Sequence, residues 1–153
     1  MERLIHVIYV SSAVSATPEH DALKFLGQAR TANRKHDVSG LMLFVGGHFL
    51  QLLEGRPAMV DVVCSTLFRD KRDMRMILRE AIDERQFPEW TMGFEAVQPA
   101  EVGLMLDESQ LPGSVANFAD VDPAGVKTLL SIIGRRRWQC DRARMFCAIR
   151  EAS

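Results

Sequence analysis

Leu4 to Val10 is an almost unbroken apolar run containing β-branched Ile5, Val7, Ile8 and Val10, and it constrains the fold more than any other stretch. Such a run reads as a central strand buried on both faces. Alternation sends Ile5, Val7 and Tyr9 to one side and Leu4, Ile8 and Val10 to the other. The chain must therefore place a layer over each face of its sheet.

The first layer is legible downstream. Thr17 is placed to cap a helix with Pro18 at its first position. That helix runs to about Lys35, and Ala22, Leu26, Ala29 and Asn33 recur at spacings of 4, 3 and 4. Asn33 then lies on the inward face near the helix C-terminus. Val38 to Val45 and His48 to Leu53 flank Gly46-Gly47, which predicts a hairpin. Pro57 opens a second helix with Val60, Val63, Cys64 and Leu67 as its apolar stripe. Met76–Ile82 and Thr91–Val97 read as two more strands, joined by a loop carrying Phe87-Pro88-Glu89-Trp90. The order β-α-β-β-α-β-β predicts an α+β fold: a ferredoxin-like mixed sheet with two helices on one face.

The other face needs a cover, and the tail after Gln98 offers one. Val126, Leu129, Leu130 and Ile133 fit one helix and Met145, Phe146 and Ile149 a second, with Pro99, Pro112-Gly113 and Pro123 at the joints. Residues 1–97 then form the main domain. Residues 98–153 form a helical cap rather than an independent domain, because 56 residues are marginal for a core of their own.

Bulk properties narrow the function classes. Hydrophobic content of 47% and charged content of 25% fit a soluble globular chain, and a net charge of −1 exerts no long-range pull on nucleic acid or anionic membrane. Arg135-Arg136-Arg137-Trp138, with Arg142 and Arg144 nearby, suits a protein interface better than a nucleic-acid patch. Cys64, Cys140 and Cys147 are odd in number without CxxC spacing, so no disulfide framework or zinc knuckle is expected. Free thiols fit a reducing cytosol. The N-terminal run is too short and interrupted for a signal peptide or a membrane span, which makes the cytoplasm the expected location. His6, His20, His36 and His48 are too scattered to predict a metal site. Ser11 and Ser12 lack a nucleophile motif.

Gln51 is the anomaly. It interrupts His48-Phe49-Leu50-Gln51-Leu52-Leu53-Glu54-Gly55, where a buried carboxamide without partners costs roughly 1–3 kcal/mol. Either the strand edge leaves it in solvent or it has dedicated partners. An amide both donates and accepts, and half a turn exchanges the two roles. With the first and third strands together at the sheet centre, Tyr9 and Gln51 look toward the two helices and Asn33 looks back at them. A phenol, two carboxamides and the nearby Trp90 suit a flat ring with a polar edge, and they contain no acid–base pair.

These residues resemble the BLUF family, blue-light sensors that hold FAD between two helices. The resemblance runs over residues 3–95 through Leu4-Ile5-His6-Val7-Ile8-Tyr9-Val10-Ser11, Ala29-Arg30 with Asn33, and Val38-Ser39-Gly40-Leu41-Met42-Leu43-Phe44. It continues through Phe49-Leu50-Gln51-Leu52-Leu53-Glu54-Gly55, Asp70-Lys71-Arg72, Arg85-Gln86-Phe87 and Trp90-Thr91-Met92-Gly93-Phe94. It implies that Tyr9 donates an electron and proton to the excited flavin and that Gln51 bridges Tyr9 to the N5 and C4=O edge. Asn33 would hold the pyrimidine side, and Trp90 and Met92 would rearrange on illumination. Arg72 would lie near the flavin C2=O. The chain departs from the pattern at Ala32, where a polar or basic residue is usual, and at Asp73, where a His is usual. Arg30 or Arg34 would then serve the ribityl or phosphate part.

The resemblance implies a photoreceptor that is not an enzyme. Only 58 residues follow residue 95, too few for a cyclase, phosphodiesterase or kinase module, so output would pass to an unidentified signalling protein or through self-association. A homodimer is the default assembly. The rival readings are a flavin-dependent redox enzyme, for which no nicotinamide site is visible, and an acylphosphatase-like hydrolase, which would leave Gln51 and Trp90-x-Met92 unexplained.

Overall fold

Strand β1 (Leu4–Ser12) lies inside the sheet, hydrogen-bonded to β4 on one side and β3 on the other. The computed structural model describes residues 3–12, 18–45, 48–68, 74–88, 91–97 and 124–135. Along the chain follow α1 (Pro18–Lys35), β2 (Ser39–Val45), β3 (His48–Gly55), α2 (Pro57–Phe68), β4 (Arg75–Ile82) and β5 (Gly93–Val97). A further helix, α3, spans residues 124–135. The sheet order is β4-β1-β3-β2-β5. Only the β2–β5 pairing is parallel; the other three are antiparallel. This is the expected α+β sheet with its ferredoxin-like strand order, extended by β5.

The two faces of β1 divide as its alternation requires. Ile5 and Val7 join Leu26, Ala29, Val60 and Val63 in a core beneath α1 and α2, with Tyr9 packed against it. Ile8 and Val10 join a second core that includes Val126, Leu129, Leu130 and Ile133 of α3. Burying side chains of this kind contributes roughly 1.5–3 kcal/mol each, and α3 covers the second face by this means. The companion helix expected around Met145, Phe146 and Ile149 falls outside the described residues, as do Thr17 and the Gly46-Gly47 connection. Val45 and His48 nonetheless pair as the ends of a hairpin.

Several element ends differ from the sequence expectation, each for a local reason. Strand β2 starts at Ser39 rather than Val38 because the Val38 N–H closes the end of α1, donating to the Asn33 carbonyl at 2.9 Å. Asp37 between them adopts the left-handed conformation, φ 55°, which a short polar side chain tolerates at a helix C-terminus. Strand β5 starts at Gly93 rather than Thr91, since the carbonyls of Thr91 and Met92 accept side-chain donors from α1. Strand β3 runs on to Gly55, with Glu54 paired to His6. Gly40 in β2 is obligatory for the hairpin's close approach: a Cβ there would sit 2.1 Å from the Leu52 carbonyl oxygen.

One irregularity shapes the edge of the sheet. Ile8 pairs with Leu78 but Tyr9 pairs with Met76, leaving Ile77 as an extra residue in β4. Such a bulge breaks alternation, and Ile77 and Leu78 both pack against the α3-side core. Met76 emerges beside Tyr9, 49% exposed.

Candidate functional site: a polar rung beneath two helices

Tyr9 of β1 and Gln51 of β3 are direct partners in the antiparallel ladder. Register extends the rung across all five strands as Met76, Tyr9, Gln51, Met42 and Phe94. Met42 and Phe94 belong to the α1/α2-side core, so the rung's phenol and carboxamide look into the space under those helices. Facing partners of this kind have Cβ atoms about 4.5–5.5 Å apart, within reach of a shared ligand edge.

Asn33 comes down from α1 onto the same layer and is fully buried. Its Nδ2 donates to the Thr91 carbonyl at 2.5 Å. Arg30, three residues earlier on the same helix face, donates through Nε to the Met92 carbonyl at 3.1 Å. Two neighbouring α1 side chains thus hold two consecutive carbonyls ahead of β5, and Met92 itself is buried in the helix-side core.

The remaining polar atoms indicate a ligand. Gln51 Oε1 and Asn33 Oδ1 are both buried without a hydrogen-bond partner. An orphaned acceptor of this sort costs about 1–3 kcal/mol, so two in one layer mark a place built for a molecule with N–H donors. A flavin ring offers one such donor, the N3–H of its pyrimidine edge, which suits Asn33 Oδ1. Tyr9 donates its hydroxyl to the Cys64 sulfur on α2. Burial first, and then that bond, push its ionisation well above the ordinary phenol range. Burial likewise pushes the Cys64 thiol up. Beside them Arg79 and Asp61 form a two-pronged ion pair, 2.6 Å at the closer contact.

Among the predicted site residues, Tyr9, Gln51, Asn33 and Met92 thus converge on the helix-side layer. Arg30 is largely exposed and engaged with backbone. Trp90 and Arg72 fall outside the described residues. Among the described residues no cluster of three or more His, Cys, Asp or Glu could hold a metal ion, and no helix is long and apolar enough to cross a membrane.

Sequence reasoning missed the contact from Cys64 and a second polar rung on the opposite face. There Glu80, His6, Glu54 and Ser39 are register partners across four strands. Glu54, fully buried, accepts the backbone N–H groups of Gln86 (2.9 Å) and Phe87 (2.5 Å). Ser39 donates to it at 3.5 Å, and Arg85 donates to Ser39 and to Asp37. Burial raises the Glu54 carboxyl above its ordinary range, with the two backbone donors opposing the shift. Gln86 reaches Ser131 of α3 at 3.1 Å. Glu80 binds His6 at 2.6 Å and accepts from Lys127 of α3. The available signal was parity: three residues apart on one strand, Gln51 and Glu54 must face opposite ways.

Fold and site together define a sensor-type α+β domain with a polar rung beneath two helices and a third helix behind the sheet. The family model for BLUF, sensors of blue-light using FAD, matches residues 4–93, and the chain belongs to that family. FAD is the cofactor by which the family senses blue light. The Escherichia coli (strain K12) blue light- and temperature-regulated antirepressor BluF is 31% identical over 74 residues, 48% of this chain but 18% of that protein. The dark-state structure of BlrB, a BLUF protein, superposes with a TM-score of 0.68 at 25% identity, covering 89% of this chain and 98% of the other. BlrP1 of Klebsiella pneumoniae with FMN and cyclic diGMP gives 0.54 at 26% identity, over 61% of this chain and 26% of that one.

Proposed function

We propose that residues 1–97 form a flavin photosensor in which Tyr9 is the electron and proton donor and Gln51 the responding switch, with residues 98–153 as its cap and output segment. The observation that carries this reading is the pairing of Tyr9 with Gln51 beside two buried acceptors, Gln51 Oε1 and Asn33 Oδ1. FAD, when bound, supplies a strong oxidant on absorbing blue light. Tyr9 is the chain's one tyrosine, and its half-buried phenol retains its proton until an electron is withdrawn. With the ring bound, the Tyr9 hydroxyl would turn from the Cys64 sulfur to Gln51 Oε1, its partner across the ladder, and the Gln51 NH2 would then serve the ring edge. After rotation, or as the tautomer, Gln51 presents the opposite polarity to the same edge. Asn33 orients the ring through Oδ1 while its Nδ2 stays committed to Thr91. Trp90 and Met92 then report the change; for Met92 the route is the pair of carbonyls, its own and that of Thr91, that hang from Arg30 and Asn33.

One or two exchanged hydrogen bonds are worth about 1–3 kcal/mol. A bias of that size shifts a packing equilibrium without unfolding a domain. Strand β3 carries the switch on one face and Glu54 on the other, and Glu54 grips the loop that touches α3. Output therefore runs to α3 and from there to a partner protein or a second copy of the chain. The antirepressor description of the E. coli relative supports a protein-docking output rather than turnover by this chain. The free Cys64 fits a cytosolic setting.

The test is the absorption spectrum of purified chain before and after blue light. A yellow protein whose band shifts to the red and relaxes in darkness, with no shift in Tyr9→Phe or Gln51→Ala, is the expected result. Flavin that bleaches with NAD(P)H and ignores light would point to a redox enzyme instead.

A further inference from the structure

Three consecutive residues between β4 and β5 reach both helical layers. Arg85 turns to the joint where α1 gives way to β2. Its Nη2 donates to the Asp37 carbonyl at 2.7 Å and to the Asp37 carboxylate at 3.2 Å, and its Nη1 donates to Ser39 Oγ at 3.2 Å. The next two residues turn to α3. Glu54 holds their N–H groups, the Gln86 side chain reaches Ser131, and the Phe87 ring faces Gly134.

The α1 end of this clasp is stiff and begins at the polar layer under the helices. The Val38 N–H donates to the Asn33 carbonyl at 2.9 Å, and Asp37 between them is left-handed, φ 55°. That closure fixes where the Asp37 carbonyl points. Asn33 is also the residue whose buried Oδ1 lacks a donor. A displacement at that amide therefore carries Asp37 with it, and Arg85 is the contact that receives it. The Arg85 side chain is only 16% exposed, so its bonds are screened less than those of an open surface pair. Its planar fork spans residues 37 and 39 at once, which the point charge of a lysine cannot do.

We propose that Arg85 is the positioning residue that couples the α1 end of the flavin site to α3. The inference rests on the photosensor reading, and it adds to the Glu54 route from β3 a second route that starts at Asn33. Light that alters the hydrogen bonds at the ring edge shifts the last turn of α1. Arg85 draws the loop with it, and Gln86 and Phe87 change their hold on α3.

The test follows two readouts on the flavin-loaded full chain, in darkness and under blue light: the absorption spectrum, and hydrogen exchange of the amides in α3. In wild type, illumination should shift the band and change α3 exchange by about tenfold, within the ordinary range of coupling between sites. Arg85→Gln should keep the full spectral shift, while the light–dark difference at α3 falls to within about twofold. Arg85→Lys keeps the charge without the fork; it should fall between the two, and it decides the matter if the glutamine variant does not fold. An arginine that only braces the fold would alter α3 exchange equally in darkness and light and leave the difference intact, which would overturn the proposal. Loss of the spectral shift in either variant would overturn it too, as would a wild-type shift with no response at α3; both leave the photosensor standing. A wild-type chain without any light-induced shift would sink the parent reading and this one together.

Discussion

Asn33 holds the Thr91 carbonyl at 2.5 Å while its own Oδ1 lies buried without a partner, so one end of the amide serves the backbone and the other is left to accept from a ligand. Asn33→Ala should therefore do two separable things. The flavin-free chain should lose about 1–3 kcal/mol of stability through the orphaned carbonyl, read by urea unfolding. FAD affinity should also fall. Full-strength FAD binding in a destabilised variant would make Asn33 a purely structural anchor.

Gln51 presents the opposite trade. Its unpartnered Oε1 weakens the flavin-free fold, so Gln51→Leu should stabilise that state by about 1–2 kcal/mol. The same variant should show no light-induced spectral shift. A destabilised Gln51→Leu chain would mean that the carboxamide is already satisfied where it sits.

With a single tyrosine in the chain, phenolate absorbance reports Tyr9 alone. Its elevated ionisation, from burial and then the Cys64 bond, means that the folded chain keeps a proton the unfolded chain releases near pH 10. Stability from this group is fully present below that value and is lost as pH rises toward the folded pKa. Tyr9 should titrate late and together with unfolding, and earlier in Cys64→Ala. An ordinary phenol titration in the folded chain would contradict the buried hydrogen bond.

Glu54 predicts a slope at lower pH. Its folded pKa is raised, chiefly by burial, so the folded chain binds a proton that the unfolded chain has released above about pH 4.3. Its contribution is complete below that value and declines as pH climbs through the folded pKa. Chemical denaturation of wild type and Glu54→Gln across mildly acidic to neutral pH should show this decline in the wild type only. Parallel curves would count against it.

Gly134 of α3 faces Phe87 so closely that an added Cβ would lie 2.2 Å from the ring. Gly134→Ala should cost about 1–3 kcal/mol by overpacking, more than the roughly 1 kcal/mol that helix propensity returns. Phe87→Leu in the same chain should restore part of the loss. Additive effects in the double variant would show that the two residues do not touch.

The elements were legible in the sequence because each has its own periodicity: Leu4–Val10, the glycine pair between two strand-like runs, and the valine stripe of α2. Asn33 and Gln51 stood out as amides at apolar positions. Long-range facts were not legible. Nothing local says that Tyr9 stands opposite Gln51 rather than Leu50, that Asp37 turns left-handed, or that Ile77 is the extra residue in β4, because each depends on pairing between distant segments. Glu54 was visible as a charge in an apolar strand, but its partners are backbone N–H groups, which no side-chain pattern reveals.

Strand β3 is read from both sides of the sheet: the carboxamide from beneath α1 and α2, the buried carboxylate from beneath α3. The carboxylate's catch lies in the β4–β5 loop, upstream of β5. A graft of this sensor onto a foreign effector must therefore carry everything through residue 97 as one cassette. The replaceable part begins at the helix laid over it, provided the newcomer brings its own groove for the Phe87 ring.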